Sequence, residues 1–154
     1  MISGSAIGKV LTAELASADF TRRGSTWRLI GDEVVAVVNL QKSRYSQTYF
    51  LNIGFWIREL GENTQPQEHK CHVRSRAGSL WASRSPSPNE LLSEDSSISD
   101  EDRIEAFRVL VREELLPLMI KGLTKDGLSE LVSDNMDFLI LRVAWPVLGI
   151  ECQA

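Results

Sequence analysis

Residues 34–57 read VVAVVNLQKSRYSQTYFLNIGFWI, and this stretch decides the fold. Its first half is rich in β-branched residues and its second half in aromatic and β-branched residues, which favours two strands over helices. A tight reversal at Tyr45-Ser46 would join the two strands into an antiparallel hairpin. The resulting register predicts three facing pairs: Asn39 with Asn52, Gln41 with Phe50, and Ser43 with Thr48.

The two faces of this hairpin differ in polarity, because side chains alternate between the faces of a strand. One face is apolar, and we expect it to meet the core: Val38, Leu40, Leu51 and Ile53. The other face carries four polar residues: Asn39, Gln41, Ser43 and Asn52. Asparagine is a poor strand former. These four residues are therefore hypothesised to form a recognition site, the alternative being the solvated end of a hairpin.

The segments on either side of the hairpin extend the sheet and add a helix. Apolar residues at helical spacing predict an amphipathic helix over about residues 5–18, with Ser5 as its N-cap. TWRLI at 26–30 is predicted to be a short strand that ends in a Gly-Asp turn. KCHVRSRA at 70–77 alternates as a fourth strand. Its predicted inward residues are Cys71, Val73, Ser75 and Ala77, and its outward residues are His72, Arg74 and Arg76.

The second half of the chain is predicted to be helical after a mobile loop. Residues 82–100 are rich in serine, proline and acid, which indicates a flexible loop. Ser99 can cap a long helix that Pro117 should kink or split. A short helix is expected near 126–133. The apolar stripe of the long helix is Ile104, Phe107, Val111, Leu115 and Leu118.

Residues 136–148 suit either a buried helix or a buried strand. A helix is favoured, with Asp134 as its cap and Gly149 as its C′ residue, although Pro146 counts against it. The predicted fold is α+β over a single domain, 1–154. It has an N-terminal helix, an antiparallel sheet of about four strands, and C-terminal helices that cover one sheet face.

Composition narrows the class of protein. The chain has a net charge of -4 and only two cysteines, Cys71 and Cys152, so a disulfide framework is not expected. The N-terminus lacks the features of a signal peptide, and the longest apolar run is too short to span a bilayer. We therefore expect a cytoplasmic protein without membrane association.

Charge is distributed unevenly along the chain. Residues 1–89 hold 11 basic and 7 acidic residues, whereas residues 90–154 hold 6 basic and 14 acidic residues. This asymmetry indicates a basic front and an acidic back.

The stretch RRGSTWRLIGDEVVAVVNLQKSRYSQTYFLNIGFW (22–56), followed by CHVRSRAGSLW (71–81), resembles the bacterial domain-of-unknown-function family numbered 4304. The resemblance rests on Gly24, Trp27, Gly31-Asp32, the Asn39–Ser43 stretch and the Asn52–Gly54 strand. It implies an α+β fold without an established activity, and it suggests an accessory or immunity-type protein of bacterial conflict systems.

The residue types that occur in catalytic and metal sites are not arranged here in a functional combination. Cys71 and His72 are adjacent, so on a strand they point to opposite faces and do not suggest a metal site. Lys42 and Ser43 are a poor dyad for the same reason. His69 and His72 are the only histidines, and no spacing ties either of them to a nucleophile. The sequence therefore predicts no catalytic residue, no metal and no cofactor.

Arginines and aromatic residues mark the expected binding surface. Five further residues are predicted to lie beside these four polar residues on the open sheet face: Trp27, Arg28, Arg44, Arg74 and Arg76. Aromatic residues between arginines anchor protein interfaces and also bind single-stranded nucleic acid. The alternative is scattered surface arginines beside a second small core. We predict a binding or interaction module with a protein partner, of unspecified oligomeric state. A nucleic-acid binder is the first alternative and a hydrolytic enzyme the second.

Overall fold

The predicted hairpin lies at the centre of a sheet. The computed structural model describes residues 2–134 and 137–151. Strands β3 (Val34–Lys42) and β4 (Tyr49–Ile57) pair antiparallel with Asn39 opposite Asn52 and Gln41 opposite Phe50. The hairpin and its register are therefore confirmed.

The sheet is antiparallel throughout and has the strand order β1-β2-β3-β4-β5-β6. The added strands are β1 (Thr21–Arg23), β2 (Thr26–Ile30), β5 (Val73–Arg76) and β6 (Leu139–Ile140). The predicted α+β class is confirmed, but the count of about four strands is corrected to six in the described residues. The two missed strands lie at the sheet edges, and three and two residues are too few to show an alternating pattern.

Helices precede and follow the hairpin. Helix α1 (Gly4–Ala16) is capped by Ser3, whose Oγ accepts from the Ala6 N–H at 3.1 Å, so the predicted Ser5 cap is wrong by two residues. The later helices are α2 (Ala77–Leu80), α3 (Pro88–Leu92), α4 (Asp100–Leu110), α5 (Leu116–Lys121) and α6 (Lys125–Asp134). Short 3₁₀ turns occupy Arg58–Leu60, Glu68–Lys70 and Arg142–Ala144. Within the described part of the chain, every helix is too short or too polar to cross a membrane.

Helices α4 and α5 are joined by a π-helical segment, Val111–Leu115, so the chain is helical from Asp100 to Lys121. The helix runs through Pro117 instead of splitting there. Proline has no N–H and crowds the carbonyl four residues earlier, and a wider turn relieves that conflict. The wider turn also shifts the buried stripe. Met119 is fully buried, whereas Leu118, which was predicted to be buried, is only half-buried.

The core lies between these helices and one face of the sheet. Phe107, Val111 and Leu115 belong to one buried cluster with the apolar hairpin face, as predicted. The hairpin residues of that cluster are Val38, Leu40, Leu51 and Ile53. Because all of them are at most 8% exposed, the helical layer covers this part of the sheet face.

The segment predicted as a mobile loop, residues 82–100, contains α3 and buries Leu91 and Leu92. Arg103 of α4 is 3% exposed and holds this segment in place. Its Nε donates to the Leu91 carbonyl at 2.9 Å and its Nη2 to the Ser93 carbonyl at 2.8 Å. The segment is therefore fastened to the core at its C-terminal half.

The helix predicted over residues 136–148 is wrong. Leu139–Ile140 forms β6, because Ile140 pairs with Val73 at the sheet edge. Asp134 ends α6 instead of capping a further helix. Gly149 does adopt the left-handed conformation expected of a C′ residue, with φ 69°, and it closes a short turn in which the Ile150 N–H donates to the Trp145 carbonyl. Residues 135 and 136 and Cys152 lie outside the described residues.

Candidate functional site

The sheet face away from the helices, here called the site face, is half covered. Residues 58–72, the covering loop, lie over one part of it. Beneath this loop Val35, Val37 and Cys71 form a second small core, against which Trp56 packs. The predicted alternative of a second small core is therefore realised on this part of the face.

The covering loop approaches the sheet most closely at Gly54. A Cβ at this position would lie 2.8 Å from Cys71 Sγ and 3.4 Å from Glu68 Cγ. Glycine at the end of the Asn-Ile-Gly stretch is therefore required by the close approach of the loop. Arg28 fastens the same loop, because its Nε donates to the Pro66 carbonyl at 2.9 Å.

The open part of the site face is crossed by a line of four residues, here called the polar row: Thr26, Asn39, Asn52 and Arg76. They lie directly opposite one another on β2, β3, β4 and β5. Asn39 Nδ2 donates to Thr26 Oγ1 at 3.1 Å, and Asn52 Nδ2 donates to Asn39 Oδ1 at 3.1 Å. Arg76 Nε donates to Asn52 Oδ1 at 3.0 Å. The row is thus a continuous hydrogen-bonded chain across four strands.

Asn52 is the centre of this chain and is only 5% exposed. Its Nδ2 group donates to Asn39 Oδ1 and to Gln41 Oε1, the latter at 2.9 Å, so both of its N–H bonds are used. Its amide therefore has no N–H left to donate at the surface. Asn52 instead orients Arg76 and Gln41, which are exposed.

Arg76 presents its guanidinium at the surface of the row. The group lies over the Phe50 ring, 4.8 Å from the ring centroid, and its Nη2 reaches Gln41 Oε1 at 3.5 Å. A cation over an aromatic face is stabilised by the ring quadrupole. Arg76 is therefore held in a defined orientation by contacts within the protein.

Beside the polar row lies a cleft of about 380 Å³. Arg74 forms part of its wall, and its Nη1 donates to the His69 carbonyl at 2.8 Å. The Nε atom of Arg74 is buried and, among the described residues, has no hydrogen-bond partner. An unpaired buried donor costs free energy, because it has lost its hydrogen bond to water. The cleft is lined by Gln41, Asn52, Glu68, His69, Arg74, Ser75, Arg76, Ser79, Asp137 and Leu139.

The charges in the cleft balance. Arg74 and Arg76 contribute two positive charges, and Glu68 and Asp137 contribute two negative charges when ionised. Burial raises the pKa of the Glu68 carboxyl, an effect that the two arginines oppose. The cleft therefore offers donors and acceptors together and carries no strong net field for a polyanion.

Two residues predicted for the site lie elsewhere. Trp27 is opposite Val38 on the core face, is 1% exposed, and donates its Nε1 hydrogen to Thr12 Oγ1 at 3.1 Å. Arg28 is on the site face but lies beneath the covering loop, where burial lowers its pKa. Both placements correct the prediction, since neither side chain can contact a partner on the open face.

The remaining predicted residues divide between the cleft and its surroundings. Gln41, Asn52, Arg74 and Arg76 line the cleft. Asn39 is half-buried, and its Oδ1 accepts a hydrogen bond from Asn52 Nδ2. Ser43 and Arg44 belong to the connection between β3 and β4, where Ser43 Oγ accepts from the Tyr45 N–H at 3.2 Å.

Sequence reasoning missed several residues that line the cleft, among them Glu68, Ser79 and Leu139. Glu68 and Leu139 are far apart in sequence and meet only because β6 pairs with β5 and the covering loop folds back. Arg74 and Arg76 were found because their spacing places both on one face of a strand. The other residues carried no comparable signal.

Cys71 and His72 have structural surroundings that differ from those predicted. Cys71 belongs to the second small core and not to the main one, because the regular strand begins only at Val73. Burial raises the pKa of its thiol to about 12, which leaves the thiol protonated near neutral pH. His72, predicted to point outward, is 5% exposed. No set of three potential metal-ligating side chains comes together in residues 2–134 and 137–151.

His72 should make stability depend on pH. Its Nδ1 accepts from the Ile57 N–H at 2.9 Å, and burial lowers its pKa below the usual 6.5. Below pH 6.5 this histidine becomes protonated in the unfolded chain but stays neutral in the folded chain. The free energy of unfolding should therefore fall as the pH falls, by at most about 1.4 kcal/mol per pH unit. Urea unfolding near pH 7 and near pH 5 measures this effect. His72→Asn, whose Oδ1 can accept the same bond, should reduce the pH dependence. Equal pH dependence in the wild type and the variant would contradict the assignment.

The chain matches a domain of unknown function, DUF4304, over residues 11–121. No curated protein and no solved structure shows significant similarity to it. The matched region includes the hairpin, the covering loop and the polar row, and it ends before β6.

Proposed function

The chain belongs to the DUF4304 family, and we propose that it is a protein-binding module whose recognition site is the cleft beside the polar row. The observation that carries this proposal is the oriented Arg76. Its guanidinium is fixed by Asn52 and Phe50, yet the residue remains exposed. Arginines held beside aromatic rings are frequent anchors of protein interfaces.

The balanced charge of the cleft also favours a polypeptide as the partner. A polypeptide presents carbonyl acceptors and N–H donors at short intervals, and the cleft offers complements to both in Arg74, Gln41 and Glu68. An accessory or immunity-type protein acts by binding another protein. The proposal therefore agrees with the role that the family resemblance suggests.

A nucleic-acid partner receives less support. Single-stranded binding needs aromatic faces that are open to stacking bases. Trp27 is buried in the main core. Trp56 packs against His72 with ring centroids 4.2 Å apart and the rings tilted by 39°, and its Nε1 donates to the Gly61 carbonyl. Phe50 is covered by Arg76. These three aromatic residues are thus engaged within the protein.

Arg76→Gln tests the proposal, with Arg23→Gln as the matched control. Both residues are exposed arginines on strands, but Arg23 lies on the edge strand β1, opposite Thr26 at the other end of the polar row, and does not line the cleft. Tagged wild-type and variant proteins would be recovered from the native host after cross-linking, and the partners quantified by mass spectrometry. We expect a partner protein that Arg23→Gln retains and that Arg76→Gln depletes at least about tenfold. Equal recovery by all three proteins, or recovery of nucleic acid in a salt-sensitive manner, would contradict it.

A further inference from the structure

A second cavity adjoins the cleft at Arg76. It has a volume of about 190 Å³ and is here called the edge cavity. Arg76 and Ser79 line both the edge cavity and the cleft, so the two spaces share a wall. The rest of the edge cavity is lined by the start of β4, by α2 and by α3, at residues 49–51, 77–78, 88–89 and 92.

The edge cavity lies where the sheet has lost a strand. β5 pairs with β4 only over residues 52–55, because the chain turns into α2 after Arg76. In the described chain, Tyr49 therefore has no partner strand on this side. Its backbone N–H and C=O point to this side, because the Ser43 N–H donates to the Thr48 carbonyl and the bonds of an antiparallel pair alternate. A ligand in the edge cavity can thus bond to the backbone of β4.

The charge of the edge cavity is positive. Among the described residues that line it, Arg76 alone is charged, whereas the cleft also contains Glu68 and Asp137. Arg76 is exposed, and its Nε and Nη2 donate to Asn52 and Gln41. Its Nη1 has no hydrogen-bond partner in the described part of the chain. A guanidinium with N–H groups to spare binds a carboxylate by charge-assisted hydrogen bonds.

The rest of the lining is largely apolar, and the cavity is small. Leu51, Pro88 and Leu92 are buried and line it beside the polar side chain of Asn89. Its 190 Å³ is half the 380 Å³ of the cleft and lies below the roughly 300–1,000 Å³ of pockets that take drug-sized ligands. The edge cavity therefore suits a single amino-acid residue better than a longer segment.

From these observations we infer that the edge cavity takes the C-terminal residue of the partner polypeptide. The terminal carboxylate binds to Arg76, and the last peptide group bonds to the backbone of Tyr49. An apolar side chain of that residue packs on Leu51, Pro88 and Leu92. Only a chain terminus presents a carboxylate, a peptide group and a side chain within one residue. This inference rests on the proposed function, since the preceding residues of the partner lie along the adjoining cleft.

Peptides with free and with blocked C-termini test the inference. A peptide library displayed with free C-termini would be selected on the full-length protein, and one enriched peptide synthesised with an N-terminal fluorescent label. Fluorescence anisotropy would compare its free acid with its C-terminal amide. We expect the wild type to bind the amide at least about tenfold more weakly, because the amide lacks the negative charge. Arg76→Gln should bind both forms equally. Selection that enriches no peptide, or equal binding of both forms by the wild type, would overturn the inference.

Asn89→Phe should fill the edge cavity, with Glu90→Phe as its matched control. Both residues are exposed on α3, but Glu90 does not line the cavity. We expect Asn89→Phe to weaken binding of the free acid at least about tenfold and Glu90→Phe to leave it unchanged. Both variants should keep a wild-type Tm, because substitutions at exposed positions rarely change stability much. Equal binding by the wild type and both variants would contradict the assignment of the cavity.

Gln41→Ala separates the two proposals in the same assay, because Gln41 lines the cleft and not the edge cavity. Binding that Gln41→Ala weakens, with equal affinity for the free acid and the amide, would overturn the edge cavity and retain the cleft. Binding that Gln41→Ala, Arg76→Gln and Asn89→Phe all leave unchanged would overturn both. If the N-acetylated form of the last residue displaced the peptide as well as the unlabelled peptide does, both would fall in favour of a small free carboxylate.

Discussion

Phe107→Ala is expected to lower the free energy of unfolding by about 3–5 kcal/mol. Phe107 is 1% exposed and belongs to the core cluster formed by the helices and the apolar face of the hairpin. Removing its ring leaves a cavity that close-packed neighbours fill only in part. Urea denaturation of the wild type and the variant measures the difference. Wild-type stability in the variant would refute the packing of α4 on the sheet.

The change of register that the π-helical segment causes in α5 can be tested in the same way. Leu118→Ala removes a half-buried side chain, and Met119→Ala removes a fully buried one. Leu118→Ala should therefore cost clearly less than Met119→Ala, for which about 2–5 kcal/mol is expected. The reverse order would mean that the helix keeps an α-helical register through Pro117.

The double substitution Asn39→Ala with Asn52→Ala is expected to remove partner binding while the chain still folds. Asn52 holds both Arg76 and Gln41 by hydrogen bonds, so its loss frees two exposed side chains of the proposed site. We expect affinity for the co-purifying protein to fall at least about thirtyfold. The free energy of unfolding should drop by about 1–3 kcal/mol, because the exposed partners can bond to water instead.

The two readouts separate the possible roles of the pair. Partner recovery measures recognition, and circular dichroism with urea denaturation measures folding. Thr64→Ala, at an exposed position in the covering loop that does not line the cleft, serves as a control that should change neither. If the double variant unfolds, the pair acts as a clasp that fixes the hairpin register. If it folds and still binds, the polar row is only a solvated edge.

Much of the sheet could be predicted from residue patterns. The hairpin register followed from the alternation of Val38, Leu40, Leu51 and Ile53, because a shift of one residue would have turned this apolar set toward solvent. The same alternation could have placed Trp27 correctly. Trp27 and Leu29 share one face of β2, opposite Thr26 and Arg28.

Features that depend on contacts between distant segments could not be predicted in this way. From the sequence alone Arg28 is expected to be a surface charge. The covering loop buries it and provides the Pro66 carbonyl as an acceptor for its Nε. Residues 139–140 form a strand only because β5 offers them an edge, so an apolar run that suits a helix became extended.

The alternating pattern of residues 34–57 was sufficient to determine the hairpin, its register and the face that meets the core. The cleft needed the tertiary structure. Its wall combines residues from β3, β4, β5, the covering loop and the segment that begins at Asp137. Periodicity records which side of a strand a residue occupies. It carries no information on which distant segment packs there, since that depends on the shape and burial of the whole chain.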